Sequence, residues 1–152
     1  MNAKQKVIAE GILKKYYPNL IGNYDIDTLY EVSQSLKEFS PLEALQLLSI
    51  VEKLEEYPEA PLASGLIYRS LNDDKSALDC FFRSSDLGSD CGCCMVGRAI
   101  MEGRGIEKDE RAGLNYMVEA YSRCSADFSD GISFNDWIKT ARDCELYNEA
   151  IM

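Results

Sequence analysis

The sequence predicts an all-α fold, and three observations carry that prediction. Apolar residues recur at three- and four-residue intervals through most of the chain. The segments that hold them begin at Ser, Asn or Asp and end at Gly or Pro, the residue types that cap and stop helices. No stretch alternates apolar and polar residues as a half-buried strand does. The connections are short, which makes neighbouring helices antiparallel.

Residues 3–16 place Val7, Ile8, Ile12 and Leu13 at helical spacing and stop before Tyr17-Pro18-Asn19. The polar turn that follows offers Asp25 or Asp27 as the cap of a helix running to about Phe39. Ser40 is the expected cap of the next helix, with Pro41 at its first position and Glu43 completing a capping box. A helix over 60–71 leads to Asn72 or Asp73, either able to cap a helix that stops at Gly88, a residue suited to a left-handed C-terminal position. Helices over about 91–102 and 109–122 come next. After a polar spacer, Ser133 caps a last one, FNDWIKTARDCELY.

A length of 152 residues is one ordinary domain, and 46% hydrophobic content is enough for a core. The net charge is −10, from 16 basic and 26 acidic residues spread along the chain. Such a balance repels phosphate backbones, so nucleic acid is not an expected partner, while a basic protein would be steered toward it. Acidity also serves plain solubility. The opening residues have no uninterrupted apolar run, and nothing later approaches the roughly 18 apolar residues of a membrane span. The expectation is a cytoplasmic protein that does not enter membranes.

Six cysteines stand at 80, 91, 93, 94, 124 and 144. Cys91, Cys93 and Cys94 raise the question of zinc, but Cys-x-x-Cys pairs are missing and the chain has no histidine. Reduced thiols filling a tight helix contact are the expectation, with no metal and no cofactor.

The stretch GRAIMEGRGIEKDERAG, residues 97–113, looks at first like a phosphate loop. A Walker loop would close with Gly-Lys-Ser or Gly-Lys-Thr after a buried strand. Here the glycines follow an expected helix, and Glu107, Asp109 and Glu110 stand where a phosphate would lie. The glycines therefore punctuate a helical hairpin.

Internal spacing supports that reading. Gly65, Tyr68, Ala77, Phe81 and Ser84 stand at intervals of 3, 12, 16 and 19 from the glycine. This is the spacing of glycine, aromatic, alanine, aromatic and small residue in tetratricopeptide repeats, which the unit resembles. Gly97, Ile100, Ala112, Tyr116 and Glu119-Ala120 repeat these roles with three extra residues between the helices. With Gly103-Arg104-Gly105-Ile106, Asp109 and Arg111, this longer unit closely resembles the Sel-one-like repeat, a sister of the tetratricopeptide family. Glu43-Ala44-Leu45 and Leu48 stand 33 residues before Ser76-Ala77-Leu78 and Phe81 and mark a degenerate earlier unit, without the first-helix glycine. The resemblance implies a short α-α solenoid: residues 1–25 as N-terminal cap, a degenerate repeat at 26–59, repeats at 60–90 and 91–124, and a C-terminal cap at 125–152 holding Trp137. It also implies that Gly97 and Ala112 let paired helices approach closely.

Families of this kind are mostly protein-binding scaffolds, and the resemblance implies an interaction module or adaptor. In such stacks the first helix of each pair lines a groove, which puts Tyr68, Arg69, Arg98, Met101 and Glu102 forward as partner-binding residues. A plainer reading makes Tyr68 and Met101 packing residues and leaves Arg69 and Arg98 in solvent. The helix connections form a second, acidic surface of Asp73, Asp74, Glu107, Asp109 and Glu110, suited to a basic partner; capping explains much of it without one. Size and charge also fit a small acidic immunity protein or antitoxin that occludes a basic toxin. A cysteine-dependent metal or redox switch is a third possibility. Catalysis is not expected, since without histidine a serine or cysteine nucleophile lacks its commonest base.

Overall fold

The first helix, α1 (Ala3–Tyr16), is fixed at its start by a reciprocal capping box: Gln5 N donates to Asn2 Oδ1 at 2.8 Å and Asn2 N to Gln5 Oε1 at 2.9 Å. It buries Ala9, Ile12 and Leu13. Val7, expected on the same stripe, is 72% exposed. Five residues before Ile12, it lies about 140° around a helix that turns 100° per residue, and so points away from the core. A single 3-10 turn, Pro18–Leu20, leads onward.

The computed structural model describes residues 1–127. Among them the chain is all helical, with seven α-helices and no strand. After α1 come α2 (Ile26–Leu36), α3 (Pro41–Leu54), α4 (Glu59–Ser70), α5 (Asp74–Asp86), α6 (Asp90–Glu102) and α7 (Glu110–Asp127). No described helix is long and apolar enough to cross a membrane. The expected last helix with Ser133 and Trp137 lies outside the described residues.

Most caps follow from local side-chain chemistry. Asp25, rather than Asp27, caps α2, accepting from Thr28 N at 2.8 Å and from the Thr28 hydroxyl at 2.7 Å. That helix ends at Leu36, short of Phe39, whose ring packs edge-on against Tyr16 with centroids 5.6 Å apart. Asp73 rather than Asn72 caps α5, and Ser89 caps α6. Gly88, at φ +97°, adopts the expected left-handed conformation.

The capping box expected at α3 does not form. Pro41 takes the first helical position, but the Ser40 hydroxyl gives its proton to Glu43 Oε1 at 2.6 Å instead of accepting from the helix. The same Glu43 oxygen also receives Tyr16 Oη at 2.6 Å and Lys15 Nζ at 3.3 Å. The carboxylate becomes a tie between α1 and α3.

The helices pack chiefly on chain neighbours: α2 on α3, α4 on α5, α6 on α7, then α3 on α4 and α5 on α6, with α1 against α3. Two apolar clusters result. Leu13, Leu29, Leu36, Leu47, Leu48 and Val51 dominate the first. Phe81, Met95, Val96 and Ile100, with Cys93 and Cys94, form the second. Helix α4 belongs to both, giving Ala60, Ala63 and Ile67 to one and Leu62 to the other. Its burial from Ala60 through Gly65 is what a central helix requires.

Candidate functional site: an arginine-lined cleft between α4, α5 and α6

Close helix approach sets the site's walls. A Cβ on Gly65 would clash with one edge of the Phe81 ring, 2.7 Å from Cδ1, so α4 lies tightly on α5. At α6 and α7 a Cβ on Gly97 would lie 2.6 Å from the Gly113 carbonyl oxygen and 2.8 Å from Met117 Cγ. The small residue facing Gly97 is therefore Gly113. Ala112, expected in that role, sits one position off and is half-buried against the second core.

The turn between α6 and α7 then folds back over α5. Gly103 (φ +73°) and Gly105 (φ +81°) both take left-handed conformations, as the hairpin reading requires. A Cβ on Gly105 would be 2.6 Å from the Asp74 carbonyl oxygen, so only glycine permits the turn to lie on the first residue of α5. Between the two glycines Arg104 is held with its guanidinium on Asp74, Nη2 to Oδ1 3.3 Å.

These contacts form a small cleft lined by Arg69 of α4, Asp74, Ala77, Leu78 and Phe81 of α5, Met95, Arg98, Ala99 and Glu102 of α6, and Arg104. Its volume is about 10 Å³. Arg98 is the deepest charge, with its side chain 6% exposed. Its Nε donates to Glu102 Oε1 at 2.7 Å, an i,i+4 pair along α6. The other Glu102 oxygen stands 4.0 Å from Arg104 Nη1. Burial lowers the Arg98 pKa, Glu102 opposes that, and the nearby Arg69 and Arg104 charges push it further down.

Four residues singled out from the sequence thus meet in one place: Arg69, Asp74, Arg98 and Glu102. The reading of Arg98 as a solvated side chain is corrected: it is buried, in a cleft that residues of α4 and α5 line together with its own helix. Arg104 completes the cleft and was not foreseen. Its only sequence signal is its place between two glycines, which marks a turn and not a direction.

The remaining candidates are placed elsewhere. Tyr68 is half-buried against the second core. Met101 packs on α7, where a Cβ at Gly113 would strike its side chain and lie 2.8 Å from its backbone nitrogen. Much of the acidic rim is engaged by the fold. Asp73 accepts from Ser76 N at 3.2 Å and Asp109 from Ala112 N at 3.1 Å, both as helix caps. Glu110 lies 3.4 Å from Lys108, and Glu107 is exposed.

The cysteines are packing residues where they are described. Cys93 and Cys94 are buried and Cys91 is half-buried. The Cys93 thiol donates to the Tyr116 carbonyl at 3.1 Å across the α6 and α7 contact. Cys80 is buried on α5, and that burial pushes its thiol pKa up, the opposite of what a reactive thiolate needs. Among the described residues no three His, Cys, Asp or Glu side chains gather as a metal site would require. Compared with protein-family profiles, curated proteins and solved structures, the chain has no significant match.

Proposed function

We propose that this chain is a protein-binding module, a short α-α solenoid of the Sel-one-like and tetratricopeptide-like kind, whose partner docks over the cleft between α4, α5 and α6. Support for the repeat reading comes from the pairing of α2 with α3, α4 with α5 and α6 with α7, and from Gly65 and Gly97 occupying the closest approaches of the last two pairs. The observation that carries the partner reading is the convergence of Arg69, Arg98 and Glu102, from the first helices of two successive pairs, on one surface cleft. Arginine is one of the residue types in which protein interfaces concentrate their binding energy.

The test is capture of partners from the host lysate by the tagged protein, at low and raised salt, beside the Arg69→Ala and Glu102→Gln variants, the glutamine keeping an acceptor for Arg98 Nε. A stoichiometric partner whose retention drops with either variant, while their melting stays native-like, is the expected result. Capture that ignores both variants would overturn docking at the cleft.

A basic partner, as an immunity protein would have, is the second reading. The observation favouring it lies at Tyr57, whose pKa is raised by burial and then by the charges of Glu59, Asp27 and Glu55. These carboxylates have no ion-pair partner among the described residues, in a chain of net charge −10. One basic protein, bound one-to-one, released by salt and indifferent to Arg69→Ala, would select it.

A further inference from the structure

Helix α1 turns one face to the core and leaves the opposite face exposed. Lys4, Val7, Gly11 and Lys14 fall within about 80° of one another on a helix turning 100° per residue, away from the buried Ala9 and Leu13. All four are exposed, and Val7, at 72%, is the most exposed large apolar side chain among the described residues. A glycine inside a helix costs about 1 kcal/mol against alanine, so each one calls for a reason. The other described helical glycines, Gly65, Gly92, Gly97 and Gly113, have one: an atom of a neighbouring helix lies under 3.0 Å from where a Cβ would stand. Gly11 has nothing within 4 Å. The charge on this face is also out of place in an acidic chain. Four of the 16 basic residues and one of the 26 acidic ones fall within α1. Lys14, in the last turn, suits the helix dipole, but Lys4 stands in the first turn, where a cation is unfavourable. Neither forms a hydrogen bond or ion pair among the described residues.

We infer that the outer face of α1 docks one helix of a partner protein, an amphipathic helix with an acidic flank. The partner helix comes closest at Gly11, covers Val7 with an apolar ridge and sets carboxylates on Lys4 and Lys14. Those lysines stand ten residues apart, about 15 Å along the axis. A helix meets both only by lying nearly along α1, as neighbours in helix bundles do, with its carboxylates at similar spacing. A second copy of α1 does not fit, because its own lysines would face Lys4 and Lys14. An anionic membrane fits poorly: Val7 is the one large apolar side chain of the face, and the net charge of −10 opposes the approach. No residue of this face lines the cleft between α4, α5 and α6.

The experiment adds a synthetic amphipathic peptide, with glutamates flanking a ridge of leucine and alanine, to the ¹⁵N-labelled full chain near physiological salt. A control peptide carries lysine in place of glutamate. Saturating amide shifts at Lys4, Val7, Gly11 and Lys14, with Kd in roughly the micromolar to millimolar range, are expected for the first peptide and not for the second. Gly11→Ala fills the closest approach, so the affinity should fall at least about fivefold while the melting of the free chain rises. Lys4→Glu with Lys14→Glu should weaken binding at least about tenfold with native-like melting. Binding that ignores Gly11→Ala would be plain charge attraction and would overturn helix docking, as would the absence of shifts in α1. Two further outcomes overturn it by naming another occupant. Shifts in α1 that grow with the concentration of the chain alone assign the face to a second copy, and shifts produced by phosphatidylglycerol vesicles but not by the peptide assign it to a membrane. Arg69→Ala, which tests the cleft, should leave the α1 shifts unchanged, so the two surfaces stand or fall separately.

Discussion

At the scale of single residues, glycine's missing Cβ decides more here than any charged group. A methyl added to an exposed helical glycine gains about 1 kcal/mol of helix propensity, so the sign of a Gly→Ala change reports the space around it. Gly11 in α1 has nothing within 4 Å of its would-be Cβ, and Gly11→Ala should stabilise the chain by about 0.5–1 kcal/mol. Gly97 and Gly113 face each other's backbones, where nothing flexible can yield. Gly97→Ala or Gly113→Ala should cost about 1–3 kcal/mol. Denaturant melts of the three variants check both signs at once; equal shifts for Gly11 and Gly97 would sink the close-packing account. The sequence had already marked Gly97. It named Ala112 as the facing residue because spacing locates a turn of helix but not which of two neighbours points inward.

Individual elements are held by contacts that reach past their own ends. Ser84, fully buried near the end of α5, donates its hydroxyl to the Pro58 carbonyl at the start of α4, 2.8 Å away. The same side chain lies 2.7 Å from where a Cβ on Gly92 of α6 would stand, so it joins three helices. Ser84→Ala keeps the volume and removes the bond, with an expected loss of about 1 kcal/mol in unfolding free energy. An unchanged stability would mean the Pro58 carbonyl finds another donor. The sequence singled out Ser84 only by its spacing from Gly65. The hydrogen bond was invisible because its acceptor is a backbone group 26 residues away. The capping box at α3 failed for the same kind of reason, its serine bonding a carboxylate that α1 also engages.

For the whole molecule, the question is what keeps the N-terminal helix on the rest. Glu43 does much of this, accepting from Ser40, Tyr16 and Lys15. Those bonds, Ser40's first and Tyr16's next, hold its pKa below the ordinary 4.5. A carboxylate whose folded pKa is lowered adds stability above its ordinary pKa and loses it as pH falls through the folded value. Glu43→Gln should therefore melt below the wild type near neutral pH, and the two curves should converge as pH drops below about 4. Parallel curves over that range would show that Glu43 titrates alike in both states. Asp25, held down by the Thr28 backbone and hydroxyl bonds, contributes in the same direction and remains in both proteins.

What the sequence determined by itself was local: the all-α class, the starts of the seven described helices to within a residue or two, and the left-handed turn at Gly88. These depend on spacing, capping chemistry and the freedom of glycine, all of which act over a turn or two of chain. It also put Arg69, Arg98 and Glu102 forward for one groove and Asp74 for a separate acidic surface, without saying that all four meet. Only the tertiary structure decided that, since Arg69 and Asp74 come from one end of a helix hairpin and Arg98, Glu102 and Arg104 from the next. Their convergence depends on how closely α5 approaches α6 and on a glycine turn resting on Asp74, distances set by packing between segments about 30 residues apart.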